Sequence, residues 1–401
     1  MAEWETKTLG ELCEFQRGLT YGKSDEVDVS SNVVLRANNV DSATHTLDLS
    51  DLRYISDSVS VPVTKKVRRG SLLICTASGS KSHLGKVAYV DDDYGYAFGG
   101  FMGQITPARG VNNRYLFHAL TSPAYKGFIE ALSDGVNINN LRFDDLRQFP
   151  VLVPDLDEQR RIVAILDEAF EGIATAKANA EKNLQNAREL FHGYLRNVFQ
   201  EPELSWLQVF VDQHIRFIDY RGKTPQKTLA GLRLITAKNV KKGFIQEEPR
   251  EFVAPESYAG WMTRGIPKQG DVLFTTEAPL GNVAQLDTAE RVVFAQRIIV
   301  MQTDPTVLDS AFLKYMLLSQ PMQAKMHAQA TGATAQGIKA SLLKRIPIAF
   351  PNSLIEQAAI VGRLDSLAEG TNRLERLYAS KLAALDELKR SLLHQAFTGA
   401  L

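Results

Sequence analysis

Two short triplets, Gly22-Lys23-Ser24 and Gly222-Lys223-Thr224, set a lysine and a hydroxyl after a glycine, as a phosphate-binding loop does. Such a loop also needs a glycine five positions before the second one, so that backbone N–H groups can wrap the phosphate. Arg17 and Phe217 stand there instead, so nucleotide binding is not expected. What remains is a pair of polar loops in which cations alternate with aromatic rings: Arg17, Tyr21 and Lys23 in the first, Tyr220, Arg221 and Lys223 in the second. Cationic side chains interleaved with tyrosine suit contacts to the phosphates and base edges of nucleic acid. A plain solvated basic loop is the competing reading.

Further polar stretches fall at matching places in the two halves. Residues 76–86 answer to 275–282, and residues 135–140 answer to 332–339. Loops that follow strands commonly carry recognition. Like position with unlike residues points to one task performed on two targets.

Catalytic constellations are missing. There is no His-Glu-x-x-His, no nucleophile elbow, no Gly-x-Gly-x-x-Gly after a strand, and no Asn-Pro-Pro-Tyr of the kind used by amino-methyltransferases. His83 and His118 are lone histidines and are expected to be structural or surface groups. Cys13 and Cys75 offer neither zinc spacing nor a disulfide framework. A non-catalytic chain is expected, with no metal site.

The elements that must position these loops recur as well. Val33 to Ala37, Leu72 to Ala77 and Val87 to Val90 are short apolar runs bounded by turn residues, and they predict strands. Their partners are Leu232 to Ala237, Val272 to Thr276 and Val283 to Leu286. Helical periodicity follows at Asn113 to Leu120 and Ser310 to Leu318, with another short helix opening at each of Pro123 and Pro321. Each half then ends in a long helical stretch. The interval that separates Gln159 from Gln357 also pairs Leu166 with Leu364, Leu184 with Leu382, and Phe199 with Phe397, without a gap.

Both stretches carry apolar residues every seventh position, the seam pattern of a coiled coil. Leu166, Ile173, Ala180, Ala187 and Tyr194 form one track of the first, beside Ile162, Ala169, Ala176 and Leu190. Ile360, Leu367, Leu374 and Leu388 form one track of the second, beside Leu364, Tyr378, Leu385 and Leu392. Glu181, Glu189, Glu375 and Glu387 are expected on the solvated faces. Neither stretch has an internal proline, so each predicts a helix of about 40 residues, roughly 60 Å long.

The fold expected is α+β: two tandem repeats, each a globular domain with a twisted, mostly antiparallel sheet followed by a long helix. The helices should pair as an antiparallel coiled coil with approximate two-fold symmetry. The boundaries are 1–153 for the first domain, 154–200 for its helix, 201–350 for the second domain and 351–401 for the second helix.

Length and composition agree. The chain has 401 residues, enough for two or three domains. Its zero net charge argues against non-specific coating of nucleic acid, which needs a broad excess of Lys and Arg. No apolar run is long enough to span a bilayer, and the expectation is a soluble, cytoplasmic protein without membrane partners.

These features resemble the specificity subunits of Type I restriction-modification systems. The resemblance rests on the two domain-plus-helix repeats, on the prolines and Glu-Gln that lead into each helix (Pro150, Pro154, Glu158, Gln159; Pro347, Pro351, Glu356, Gln357), and on residues 219–225. It implies that each domain is a target recognition domain reading one half of a bipartite, asymmetric DNA site. It also implies that the helices act as a ruler and dock two methyltransferase subunits, with restriction subunits joining the complex. S-adenosylmethionine, ATP and Mg would then sit on those partners, and no cofactor on this chain. Position in the repeat selects the candidate DNA contacts. They are Arg17, Tyr21, Lys23, Ser80, Lys81 and Lys86 in the first domain, and Tyr220, Arg221, Lys223, Lys238, Thr276 and Asn282 in the second. A two-headed scaffold for protein partners, without DNA binding, is the alternative.

Overall fold

The computed structural model describes residues 4–78, 83–133, 140–220, 224–295, 297–332 and 336–401. It divides into two compact units, Met1–Ala180 with Ser380–Leu401, and Glu181–Ala379. Compactness therefore cuts the chain within the long helices, so each unit holds one globular head and a part of both.

The first head opens with β1 (Glu5–Thr8), β2 (Cys13–Arg17), β3 (Glu26–Val27), β4 (Asn32–Leu35) and β5 (Arg53–Ile55). It continues with β6 (Leu72–Cys75), β7 (Val87–Tyr89), β8 (Ala97–Phe98), β9 (Met102–Pro107) and β10 (Pro150–Val153). The second head has β11 (Leu207–Phe210), β12 (Ile215–Asp219), β13 (Lys227–Thr228), β14 (Leu232–Ile235) and β15 (Glu251–Val253). It then adds β16 (Val272–Thr275), β17 (Val283–Gln285), β18 (Val292–Phe294), β19 (Ile298–Thr303) and β20 (Pro347–Phe350).

Sheet for sheet, the two heads have the same order. The pairs β1-β10 and β11-β20 match, as do β2-β9-β6-β7 and β12-β19-β16-β17, and β3-β5-β4-β8 and β13-β15-β14-β18. Among the described residues each head thus contains three small sheets where the sequence predicts one. Two-residue strands such as β3 and β13 leave no periodicity to read. Among the described strands one pair in each head is parallel, β4 with β8 and β14 with β18. The strands β6 and β16 are buried at every residue, Leu-Leu-Ile-Cys and Val-Leu-Phe-Thr, because apolar side chains cover both faces.

The long helices run Leu156–Gln200 and Leu354–Ala396. Asp155 caps the first by accepting the Glu158 N–H at 2.9 Å. The glutamine of each Glu-Gln pair is a buried tie between helix and head. Gln159 accepts from the Asn112 N–H and donates to the Pro154 carbonyl, at 2.8 and 2.9 Å. Gln357 accepts from the Asp309 N–H at 2.8 Å and donates to the carbonyls of Val307 and Pro351, at 2.8 and 2.7 Å. Asn112 and Asp309 are themselves the N-caps of the helices Asn113–Ala119 and Ser310–Leu318. One side chain therefore fixes the starts of two helices in each head.

A second tie lies two turns on. Asp167 accepts from Arg114 at 2.6 and 3.2 Å and from His118 at 2.8 Å. Burial opposes charge on Asp167, but the His118 and Arg114 hydrogen bonds prevail and hold its carboxyl at about 2. Asp365 stands at the corresponding place, accepting from the Tyr315 hydroxyl. His118 is thus a structural histidine, as its isolation in the sequence predicts, and burial lowers its pKa.

Within each unit the helices run antiparallel. In the first, Lys177 pairs with Asp386 at 2.8 Å and Lys389 lies over the Phe170 ring. In the second, Arg188 pairs with Glu375 at 2.6 Å and the Thr371 hydroxyl donates to the Ala187 carbonyl. The first head's core takes in Ile162 and Leu166 from one helix and Leu393 and Ala396 from the other. The second head's core does the same with Leu364, Leu195 and Phe199.

The seam is narrower than the heptads predict. Leu166, Ile173, Ala180 and Ala187 are buried, and so is Leu364. Leu190, Leu374 and Leu388, from the neighbouring tracks, are exposed at 63, 38 and 47%. A two-helix contact has room for one track per helix over most of its length, so the second track faces outward. Glu375, expected on a solvated face, is half-buried against Arg188 across the seam.

Candidate nucleic-acid interface

An open cleft of about 890 Å³ lies in the first head where β2, β4 and the turn between β8 and β9 converge. Its formation depends on Gly18, since a Cβ there would stand 2.0 Å from the Gly99 carbonyl oxygen. Arg17, at the end of β2, lines the cleft together with Tyr21, Lys23, Arg36, Asn38, Ser78, Phe101 and Asn140. Three of these are cations, and the one carboxylate among the described residues of the wall, Glu26, is taken up by Arg53 at 3.1 Å.

Arg36 pairs with Asp51 at 3.1 Å through one nitrogen, while its Nε is buried without a hydrogen-bond partner. Burial raises the Tyr21 phenol, which keeps its proton and can donate. Phe101 is 74% exposed. Cations, a phenol, two amides and an open aromatic ring in one concavity form a cationic, hydrogen-bonding and stacking surface, with the means to hold phosphates and touch bases.

Strand register gives the counterpart of each position in the second head. Ile74 faces Gly103 and Phe15 faces Ile105, whereas Phe274 faces Ile299 and Phe217 faces Met301. Arg17 therefore answers to Asp219. In the small sheet Glu26 faces Ile55 and Lys227 faces Val253, so Glu26 answers to Lys227 and Arg53 to Glu251. The ion pair Glu26–Arg53 becomes Lys227–Glu251, at 2.7 Å, with the charges exchanged. Arg36 and Asn38 become Thr236 and Lys238, since Asn39 and Asn239 make the same bond to the backbone N–H three residues earlier. The frame repeats and the charges on it do not.

The sequence-predicted residues fall into four groups. Arg17, Tyr21 and Lys23 come together in the cleft. Lys238 is exposed beyond β14, and Lys86 is half-buried and does not line the cleft. Ser80, Lys81, Arg221 and Lys223 lie outside the described residues.

Tyr220, Thr276 and Asn282 form the last group, each buried and bonded to the backbone of its own head. The Tyr220 hydroxyl donates to the Gly265 carbonyl at 2.7 Å and accepts from the Arg264 N–H at 3.0 Å. Thr276 donates to the Arg297 carbonyl and Asn282 to the Val240 carbonyl. A polar residue in a loop can satisfy backbone as readily as ligand, and composition alone does not separate the two. Sequence reasoning also missed Arg36 and Phe101. The Gly99-Gly100 pair ahead of Phe101 is a signal that could have marked a tight turn there.

Burial pushes the Cys13 thiol up to about 12 and that of Cys75 to about 11, so neither is a thiolate near neutral pH. Among the described residues, no three His, Cys, Asp or Glu side chains are grouped to hold a metal ion. No helix among them is long and apolar enough to cross a membrane.

The family described as Type I restriction modification DNA specificity domain matches residues 1–185 and 262–382. The chain is 23% identical to the Type I restriction enzyme EcoKI specificity subunit of Escherichia coli strain K12, covering 99% of this chain and 89% of that one. It is also 23% identical to the StySPI specificity subunit of Salmonella potsdam, with the same coverages. A chain from a solved structure on complex assembly and conformational transition of the type I R-M system superposes over 100% of this chain and 99% of its own, with a TM-score of 0.78 at 20% identity. The crystal structure of the HsdS subunit from Thermoanaerobacter tengcongensis matches over 100% and 98%, with a TM-score of 0.62 at 19% identity. These likenesses show the same fold.

Proposed function

This chain belongs to the Type I restriction modification DNA specificity family, and on that premise we propose that it is the DNA-reading subunit of such a complex, each head reading one half of a bipartite, asymmetric site. The paired helices set the interval between the half-sites and dock two methyltransferase subunits. Restriction subunits join the assembly, and S-adenosylmethionine, ATP and Mg are held by the partners. This chain itself carries out no chemistry on DNA.

The observation that carries the reading is the duplicated frame with unlike charges, Glu26–Arg53 in one head and Lys227–Glu251 in the other. Two copies of one binding device that differ at the surface suit two different sequences. Leu190, Leu374, Leu377 and Leu388 support docking along the helices, since they leave apolar area exposed away from the seam.

The neutral net charge favours a second reading, a scaffold for protein partners that does not touch DNA. A salt titration separates the two. Affinity for duplex DNA should fall steeply as salt rises, because bound phosphates displace condensed counterions. Lys23 is exposed on the cleft wall and is assigned to phosphate. Changing Lys23 to Ala should weaken binding to all sequences about equally and lower the salt slope by about one. A protein with no DNA affinity at low salt would leave the scaffold reading standing.

A further inference from the structure

We infer that Phe101 in the first head and Arg297 in the second are base-reading residues: the phenyl ring contacts the 5-methyl edge of thymine, and the guanidinium binds the O6/N7 edge of guanine. The inference deepens the DNA-reading role proposed above and rests on it.

The two residues occupy one station. Gly103 and Ile299 face Ile74 and Phe274 in equivalent registers, and Phe101 and Arg297 each lie two residues before them. The parallel pairing agrees, with Phe98 opposite Leu35 and Phe294 opposite Ile235. Both stations end the short connection from the small sheet into a strand of the larger one.

Both backbones are clamped alike. The Phe101 carbonyl accepts the Thr76 N–H at 2.9 Å, the Ala77 N–H at 3.1 Å and the Thr76 hydroxyl at 2.9 Å. The Arg297 carbonyl accepts the Thr276 N–H at 2.8 Å and the Thr276 hydroxyl at 3.4 Å. Thr76 and Thr276 are positioning residues, and Thr276 serves recognition in this indirect way. The side chains so held point away from the core. Phe101 is 74% exposed on the wall of the cationic cleft, and the Arg297 side chain is about half exposed.

Two details argue for ligand contact. Arg297 has φ 73°, a left-handed conformation unusual for a residue with a side chain, and such outliers gather at functional sites. Glu277 pairs with its guanidinium at 3.2 Å, which orients the planar fork without enclosing it. A surface ion pair alone would explain Arg297, but it would not explain an open phenyl ring at the same clamped station of the other head.

Chemistry then sets the bases. An arginine fork matches the two acceptors of guanine in the major groove, and an apolar ring matches the thymine methyl group.

The test uses the full chain assembled with its methyltransferase partner. Methylation is measured on duplexes carrying every single base-pair change across the recognised site. Arg297→Ala should lower discrimination about ten- to hundredfold at one G·C pair of one half-site, leaving the other half unchanged. Arg297→Lys keeps the charge and loses the fork, so it should relax the same position while the salt slope is retained. Phe101→Ala should relax one A·T pair of the opposite half, and Thr76→Val should do so more weakly. A uniform loss over all sequences, or unchanged discrimination in well-folded variants, would overturn the assignment. A wild-type complex with no sequence preference would overturn the underlying DNA-reading role as well.

Discussion

A proline in place of Leu385 will destabilise the fold by at least about 3 kcal/mol. Leu385 is half-buried and lies inside the proline-free helix Leu354–Ala396. Proline there removes one helical hydrogen bond and drives its ring into the carbonyl of Lys381. The bend falls where the helices are tied, since the next residue, Asp386, holds Lys177, and Lys389 lies over Phe170. Beyond it, Leu393 and Ala396 complete the first head's core. Urea unfolding should show the loss, and the methyltransferase partner should no longer co-purify. Leu385→Ala keeps the helix and should cost far less. Equal stabilities for the two variants would show that the helix does not bear on the core in this way.

Gln357→Ala is expected to cost about 3 kcal/mol, because a buried polar group left without its partner costs about 1–3 kcal/mol. Gln357 is fully buried and its loss strands three groups: the Asp309 N–H and the carbonyls of Val307 and Pro351. Relaxation will recover part of the sum. Gln159→Ala strands two and should cost less. Hydrogen exchange should locate the damage of Gln357→Ala in the helix Ser310–Leu318, whose N-cap it holds. Exchange that rises evenly over both units would argue against a local tie.

Gln159 and Gln357 also mark what was legible from the residues. Their matched interval located both long helices to within a few residues, and the apolar runs around Leu72 and Val272 located the strands at the heart of each head. Pairing was less legible. Two-residue strands carry no alternation, so three sheets were read as one.

The heptads announced a seam, but Leu374 and Leu388 lie outside it, since periodicity gives the spacing of a face and not its width. In the cleft, Arg17, Tyr21 and Lys23 were found by their chemistry. The sheet register puts Asp219 in the place of Arg17, a reversal of charge that the Gly-Lys triplets do not show. Thr276 and Asn282 bond the Arg297 and Val240 carbonyls, and the sequence does not foretell this because hydroxyl and amide groups serve backbone and ligand equally well.

The central claim is that the heads are separate readers on a shared frame. Its most direct test is exchange of residues 1–150 for the corresponding head of a relative with a different site, followed by mapping of methylated positions in DNA treated with the hybrid and its methyltransferase partner. One half of the recognised sequence should change to that of the donor, while the other half and the interval between them stay as they were. A hybrid that alters both halves, or that methylates the original sequence unchanged, would contradict the account.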